Sequence, residues 1–223
     1  MKCFLLIGSA LLSMMPVAQA SADNSMRILA LGDSYTIGES VAVESRWPLQ
    51  LVDALSRKEV KASAEIIAAT GWTTLNLERA VESAPLNIPY DLVTLLIGVN
   101  DQFQGKSANS YVNNFKRLLQ SSIQYAGGDA NKVVVLSIPD YGITPFARRY
   151  NPTRISRELD QFNAINKELS LQLGAYYVDI TPISREAIND VALLANDGLH
   201  PSAKMYKQWV DKALPVVLTA LKK

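Results

Sequence analysis

The sequence predicts a single α/β domain, a doubly wound sandwich in which helices cover both faces of a five-stranded parallel sheet. Three observations indicate this class. The chain has 223 residues, which suits one ordinary domain, and 48% of them are hydrophobic, which is enough for a sizeable core. Five short apolar segments alternate with longer segments whose apolar residues recur at helical spacing. Apolar strands that are each followed by a helix are typical of a parallel sheet buried on both faces.

Residues 1–20 are predicted to be a secretory signal peptide, and residues 21–223 to form the single domain. Lys2 supplies the basic start, and residues 4–15 form an apolar stretch too short for a typical membrane span. Ala18-Gln19-Ala20 has the small-x-small pattern of a cleavage site, and an uncleaved anchor is the alternative. We expect an exported protein, periplasmic or secreted, with no stable membrane span once the signal is removed.

The composition argues against several classes of binding partner and against catalytic or metal sites built on cysteine. The 22 basic residues almost cancel the 21 acidic ones, so the chain lacks the charge signature of nucleic-acid or anionic-membrane binding. Cys3, the only cysteine, lies inside the predicted signal. The mature chain is therefore expected to have no disulfide, no cysteine nucleophile, no cysteine zinc site and no lipoprotein anchor. The expected partner is a small-molecule substrate, and the oligomeric state stays open.

The strands are recognised as short apolar runs. They are predicted, in chain order, at residues 26–31, 62–68, 92–97, 133–138 and 175–180. The first run, MRILAL, stops at Gly32, and the third, LVTLLI, is the most apolar. Pro139 ends the fourth, because proline has no N–H to donate to a sheet.

The helices are recognised by apolar residues three and four positions apart. They are predicted at residues 47–55, 74–81, 111–123, 155–173 and 201–221. Gly127-Gly128 stops the third helix, and Gly174 is a C-cap for the fourth. Pro201 is expected near the first turn of the last helix, where proline is well tolerated. Right-handed crossovers would then place helices on both faces of the sheet.

In such a sheet the ligand site lies at the carboxyl ends of the strands. Four segments follow strands and should meet at this edge: residues 32–34, 70–71, 98–101 and 139–153. The last of them is long and has little regular pattern. Loops of that length at an active edge are often lids or specificity loops.

His200 is the only histidine, and it lies in a loop just before the last predicted helix. A lone histidine is often structural, but Asp197 lies three residues upstream, where a tight turn would bring its carboxylate to one ring nitrogen. The other ring nitrogen would be free to take a proton from a hydroxyl. Ser34, directly after the first strand, is the best partner, because serine needs a nearby base to act as a nucleophile. The simpler interpretation makes Ser34 a helix N-cap, and both interpretations can hold.

Gly71 and Asn100 are candidates for stabilising a negatively charged oxygen. Acyl transfer develops such an oxyanion, and each well-aimed donor contributes roughly a hundred- to a thousandfold in rate. Gly71 lets its backbone N–H approach closely because it has no Cβ, and Asn100 offers a side-chain amide. A turn glycine and a turn asparagine are the alternatives.

The order of these motifs resembles the SGNH hydrolase superfamily, also called GDSL esterases and lipases. The matching residues are GDS at 32–34, Gly71, GVND at 98–101 and DGLH at 197–200, and the resemblance spans roughly residues 26 to 221. GDS alone is a weak signal, whereas the combination is strong. The resemblance implies a flavodoxin-like three-layer sandwich with a five-stranded parallel sheet and helices on both faces.

The resemblance also implies roles for individual residues. Ser34 matches the nucleophile, His200 the general base and acid, and Asp197 the residue that orients the histidine. The N–H groups of Ser34 and Gly71 and the side chain of Asn100 match the oxyanion hole. No cofactor and no metal are expected.

The chain departs from the family pattern in two places. Tyr35 follows the serine where the family name has leucine, and residues 69–72, which include Gly71, match the second block only loosely. Asp33 and Asp101 also fall in matching motifs, and we expect their carboxylates to hold loops by accepting backbone N–H bonds.

The predicted function is a serine esterase that hydrolyses carboxylic esters of small or single-chain substrates through an acyl-enzyme. A thioesterase/lysophospholipase, a carbohydrate O-acetyl esterase and a catalytically silent acyl- or glycan-binding module are alternatives. Five aromatic residues are expected near the nucleophile as an acyl pocket: Tyr35, Trp72, Phe103, Tyr141 and Phe146. Ordinary packing of loop aromatics would explain them equally well.

Overall fold

The computed structural model describes residues 25–222, so the predicted signal peptide and its cleavage site lie outside the described residues. Five strands form one parallel sheet in the order β2-β1-β3-β4-β5. They are β1 Met26–Gly32, β2 Ala62–Ala68, β3 Leu92–Leu96, β4 Val133–Leu136 and β5 Tyr176–Val178. The predicted five-stranded parallel sheet is confirmed, and the last three strands end one or two residues earlier than predicted.

Eight α-helices connect and follow these strands in the described part of the chain. They are α1 Ser34–Ile37, α2 Trp47–Ser56, α3 Thr74–Ser83, α4 Val99–Phe103, α5 Ala108–Tyr125, α6 Pro152–Gln172, α7 Thr181–Arg185 and α8 Ala203–Ala220. The five longer helices correspond to the five predicted ones. The other three, α1, α4 and α7, have only four or five residues, which is too short for an apolar period to be visible in the sequence.

The helices form two layers, one on each face of the sheet. Helix α2 packs against α8 on one face, whereas α3, α5 and α6 pack against each other in sequence on the other. Right-handed crossovers explain the division, because the chain moves from β1 outward to β2 and then reverses direction to β3, β4 and β5. The reversal leaves a crevice between the carboxyl ends of β1 and β3, which is where α/β sheets bind ligands.

The core lies on both faces of the central strands. Strands β3 and β4 are buried along their whole length, and β2, at the edge of the sheet, is only partly covered. Trp47 and Trp209, from α2 and α8, are among the largest fully buried side chains, and Tyr111 and Phe115 of α5 fill the opposite layer. Burying one such side chain contributes roughly 1.5–3 kcal/mol, so the central sheet forms a rigid base for the loops at its edge.

Two loops differ from the predictions. Helix α8 begins at Ala203 because the Ser202 hydroxyl accepts the N–H of Met205 as an N-cap, and Pro201 instead forms an isolated bridge with Leu194. This bridge fixes the backbone next to His200. The carbonyl of His200 itself accepts the N–H of Ala195 at 2.8 Å. The segment 139–153 contains two 3₁₀ turns, Tyr141–Ile143 and Pro145–Arg149, and α6 already begins at Pro152.

None of the helices within residues 25–222 is long and apolar enough to cross a membrane.

Candidate active site

Ser34 lies at the point where β1 ends and α1 begins. The Asp33 side chain caps α1 by accepting the N–H of Tyr35 at 3.0 Å. Gly32 is required here, since a Cβ at this position would lie 2.1 Å from the hydroxyl of Thr36. The sharp turn places Ser34 as the first residue of α1, in the crevice between β1 and β3.

Asp197 and His200 form a compact turn before α8. One carboxylate oxygen of Asp197, Oδ1, accepts the backbone N–H groups of Leu199 and His200, each at 2.9 Å. The other oxygen, Oδ2, lies 2.6 Å from Nδ1 of the His200 ring. The three-residue spacing therefore brings the carboxylate to the imidazole, as predicted from the sequence.

The electrostatics of this turn determine the tautomer of the histidine. Burial alone would raise the pKa of the Asp197 carboxyl, but hydrogen bonds from Ser40, His200 and Leu199 outweigh it and lower that pKa well below its usual range. The ionised carboxylate can only accept hydrogen bonds, so Nδ1 of His200 must carry the proton. In the neutral ring Nε2 is then a hydrogen-bond acceptor, free to take a proton from a hydroxyl.

Ser34 and His200, far apart in sequence, line one pocket of about 140 Å³. Gly71 and Asn100 line the same pocket, so four of the five residues with predicted catalytic or oxyanion roles surround it. The fifth, Asp197, lies behind His200 and reaches the pocket through the imidazole ring. The pocket is lined by Ser34, Tyr35, Thr70, Gly71, Val99, Asn100, Phe103, Tyr141, Phe146, Leu199 and His200.

Gly71 lies in the loop that follows β2, and Asn100 lies in α4, the short helix that follows β3. The φ angle of Gly71 is +82°, a left-handed conformation that glycine adopts readily and other residues rarely do. The side-chain amide of Asn100 donates to the backbone carbonyl of Trp72 at 3.0 Å. That bond uses one of the two N–H groups of the amide and leaves the other available for a ligand.

The expectation that Asp33 and Asp101 hold loops is confirmed. Both are buried, and Asp33 accepts the N–H of Tyr35. Asp101 accepts the N–H and the hydroxyl of Thr74, each at 2.8 Å, which joins the start of α3 to α4. Burial raises the pKa of the Asp33 carboxyl to about 8, and burial also raises the pKa of Asp101, although the two bonds from Thr74 oppose the shift.

Four of the five predicted substrate-binding aromatics, Tyr35, Phe103, Tyr141 and Phe146, line the pocket. Tyr35 is almost fully buried, and its ring packs edge-on against the His200 ring with centroids 5.8 Å apart. Phe103 is 48% exposed at the rim. Trp72 is instead partly buried against the hydrophobic core, outside the residues that line the pocket.

Sequence reasoning missed several residues at the site. Thr70, Val99 and Leu199 line the pocket but were assigned no role, although Val99 and Leu199 lie inside the GVND and DGLH motifs and Thr70 precedes Gly71. Ser40 lies outside the motifs, yet its hydroxyl donates to Oδ2 of Asp197 at 2.6 Å. Within residues 25–222, no three His, Cys, Asp or Glu side chains come close enough together to hold a metal ion.

Comparisons with known proteins agree with this fold. Residues 30–208 match the model of the GDSL-like lipase/acylhydrolase family. The chain is 25% identical over 192 residues to an arylesterase of Vibrio mimicus, a match that covers 86% of this chain and 87% of the relative. Two solved esterases share the fold. A psychrotrophic esterase from Pseudoalteromonas sp. matches with a TM-score of 0.67 and 19% identity over 90% of this chain and all of its own.

The second solved structure, an acetylxylan esterase from Geobacillus stearothermophilus, has a TM-score of 0.66 and 18% identity, over 88% of this chain and 96% of its own. At such identities a structural likeness establishes the fold alone, whereas the family match spans most of the chain and includes the loops that carry the predicted site. The chain therefore belongs to the GDSL-like lipase/acylhydrolase family and is a serine hydrolase that acts on carboxylic esters.

Proposed function

We propose that Ser34 is the nucleophile, His200 the general base and acid, and Asp197 the residue that orients the histidine. The observation that carries this assignment is one pocket lined by both Ser34 and His200, with Nδ1 of His200 held 2.6 Å from the ionised Asp197 carboxylate. Serine is a weak nucleophile on its own, so an adjacent acceptor nitrogen is the activation it needs.

The reaction proceeds in two steps. Oγ of Ser34 attacks the ester carbonyl while Nε2 of His200 takes the hydroxyl proton, and that proton passes to the alcohol as the C–O bond breaks. Water then attacks the acyl-enzyme, gives its proton to His200 and releases the acid, and the proton returns to Ser34. In both steps the negative oxygen would bind the N–H groups of Ser34 and Gly71 and the free amide N–H of Asn100.

The proposed substrates are esters with a small or single-chain acyl group. The pocket of about 140 Å³ is small compared with the roughly 300–1,000 Å³ usual for ligand sites, so a short acyl group fits it best. Phe103 and Phe146 add aromatic surface, with ring centroids 6.3 Å apart, against which a flat leaving group could pack. The arylesterase of Vibrio mimicus supports aryl esters as the first class to assay.

Replacing the nucleophile tests the assignment directly. Ser34→Ala is expected to abolish the burst and the steady-state turnover of an activated short-chain aryl ester while the fold stays intact, because no acyl-enzyme can form. Stoichiometric labelling by a fluorophosphonate probe should be lost in the same variant. Ser83→Ala is a matched control, since Ser83 is an exposed serine in α3 whose hydroxyl bonds to the Arg79 carbonyl.

Undiminished turnover by a folded Ser34→Ala protein would refute the proposal. A panel of acyl chain lengths, leaving groups and thioesters would then separate simple esters from thioester, lysophospholipid and sugar O-acetyl substrates.

We also propose that the protein works outside the cytoplasm, in the periplasm or beyond. The support is the sequence pattern of residues 1–20, and the absence of cysteine from the rest of the chain fits an enzyme that has no thiol to lose by oxidation.

A further inference from the structure

Ser40 contributes a hydrogen bond to the turn that holds the proposed base. Its hydroxyl donates to Oδ2 of Asp197 at 2.6 Å, and Nδ1 of His200 contacts the same oxygen at the same distance. The other oxygen, Oδ1, is held by two N–H groups from within the turn itself. Ser40 therefore supplies a bond to this carboxylate from a distant part of the chain.

The backbone fixes where the Ser40 hydroxyl lies relative to the proposed nucleophile. The N–H groups of Gly38 and Glu39 both donate to the Ser34 carbonyl at 3.0 Å, which folds residues 34–39 into a tight turn. Ser40 follows with φ +64°, a left-handed conformation that is uncommon for serine. Such strain persists where the surrounding structure requires it, and it concentrates at functional sites.

We propose that Ser40 is a positioning residue that ties the turn bearing Ser34 to the carboxylate of Asp197. This inference rests on the proposed roles of Ser34, Asp197 and His200. A carboxylate oxygen has two lone-pair directions, and the Ser40 hydroxyl occupies one of them, which leaves the other for Nδ1–H of His200. The carboxylate plane, and with it the direction of the imidazole ring, is thereby set relative to Ser34.

The size of the expected effect follows from the exposure of this bond. Ser40 is exposed, so water can donate to Oδ2 when the hydroxyl is removed, but water cannot hold the carboxylate in one orientation. Loss of the hydroxyl is therefore expected to lower kcat about tenfold, at the low end for a hydrogen bond to a charged group, with little change in KM.

Two variants separate the effect of the Ser40 hydroxyl from the effect of its backbone conformation. Ser40→Ala and Ser40→Gly both remove the hydroxyl, but glycine is comfortable at φ +64° and alanine is not. The matched control is Glu59→Gly. Glu59 is an exposed residue with φ +60° before β2, at the opposite edge of the sheet, where glycine relaxes the same conformation away from the pocket. Both Ser40 variants should lose about the same activity, and Glu59→Gly should retain wild-type kcat.

A double-mutant cycle distinguishes a positioning role from a general structural one. If Ser40 acts through Asp197, then Ser40→Gly should cause no further loss of kcat in an Asp197→Ala background. An activated aryl ester keeps the residual turnover of that background measurable. A purely structural effect of Ser40 would lower kcat by the same factor in both backgrounds.

Histidine NMR supplies a readout that does not depend on turnover. Because His200 is the only histidine in the sequence, the ring signals of the whole protein report this one imidazole. Ser40→Gly should shift the Nδ1–H proton signal by changing the charge on Oδ2, whereas Glu59→Gly should leave it in place.

Wild-type kcat in Ser40→Gly, an unmoved Nδ1–H signal, or an equal loss in the Asp197→Ala background would each overturn the proposal. Failure of the proposed function itself is a separate outcome, recognised by turnover that survives in Ser34→Ala.

Discussion

Two aspartates near Ser34 have carboxyl groups in opposite environments. Asp197 is partly exposed and accepts bonds on both oxygens, so its pKa is lowered and it stays ionised. Asp33 is fully buried, and among residues 25–222 its Oδ2 has no hydrogen-bond partner, so burial raises its pKa to about 8. The first environment suits a carboxylate that must orient an imidazole, and the second suits a group that caps a helix without carrying charge.

The buried carboxyl makes stability depend on pH. The folded pKa of Asp33 is about 8, above the ordinary value of about 3.9, so the folded state holds this proton more tightly. The resulting stabilisation is fully present below the ordinary pKa and is lost as pH rises from there through the folded pKa, at about 1.4 kcal/mol per pH unit. Asp33→Asn keeps an acceptor for the Tyr35 N–H but cannot titrate.

The free energy of unfolding of Asp33→Asn should therefore rise relative to wild type between about pH 5 and about pH 8, as measured by urea denaturation. Parallel pH profiles for the two proteins would show that Asp33 does not titrate in this range.

At the scale of elements, the site depends on loops that hold one another. The start of α3 bonds to α4 through Thr74, which donates to Asp101, and the loop after β2 bonds to α4 through the Trp72 carbonyl, which accepts from Asn100. These bonds hold two proposed oxyanion donors, Gly71 in the loop after β2 and Asn100 in α4, against the same pocket. The distance between those donors thus depends in part on Asp101, Thr74 and Trp72, which do not line the pocket.

Asp101→Ala tests this connection. It leaves the N–H and hydroxyl of Thr74 without their acceptors, so it should cost about 2–3 kcal/mol of stability and also lower kcat by about tenfold or more. Asp91→Ala is the matched control, because Asp91 accepts the N–H of Arg27 at 2.8 Å at the opposite edge of the sheet. It should reduce stability and leave kcat unchanged; a wild-type kcat in Asp101→Ala would contradict the connection.

The secondary-structure elements also show how much of the fold can be predicted from the sequence alone. The run at β1 predicts its strand well, because a buried parallel strand is a continuous apolar segment with clear ends. Strand β2 has its predicted bounds although it is only partly covered. Helices α1, α4 and α7 could not be predicted, because four or five residues give no period. The motifs identify residues around the pocket, whereas the contact from Ser40 to Asp197 joins segments far apart in the chain and has no local pattern.

At the scale of the whole molecule, cleavage of the proposed signal peptide would change the product. Removal of residues 1–20 would take away Lys2 and Cys3, so the mature chain would be formally neutral and would lack thiols. Expression of the full chain in a host that exports proteins should yield a product that begins at Ser21 by intact mass and N-terminal sequencing.

Replacing Ala18 and Ala20 by leucine should block that cleavage, because the processing site requires small side chains. An extracytoplasmic product that retains Met1 would instead support an uncleaved anchor.

In this pocket, the residues proposed to carry out the reaction and much of the wall that would contact the substrate come from different segments of the chain. Ser34 and Asn100 lie in the first turns of α1 and α4, and Gly71 and His200 lie in loops at the same edge of the sheet. Much of the aromatic wall instead comes from residues 141–150, a stretch without any of the proposed reacting groups. Descendants of this enzyme could therefore exchange that stretch and acquire new esters without rebuilding the machinery that cleaves them, which makes it the natural segment to randomise in directed evolution.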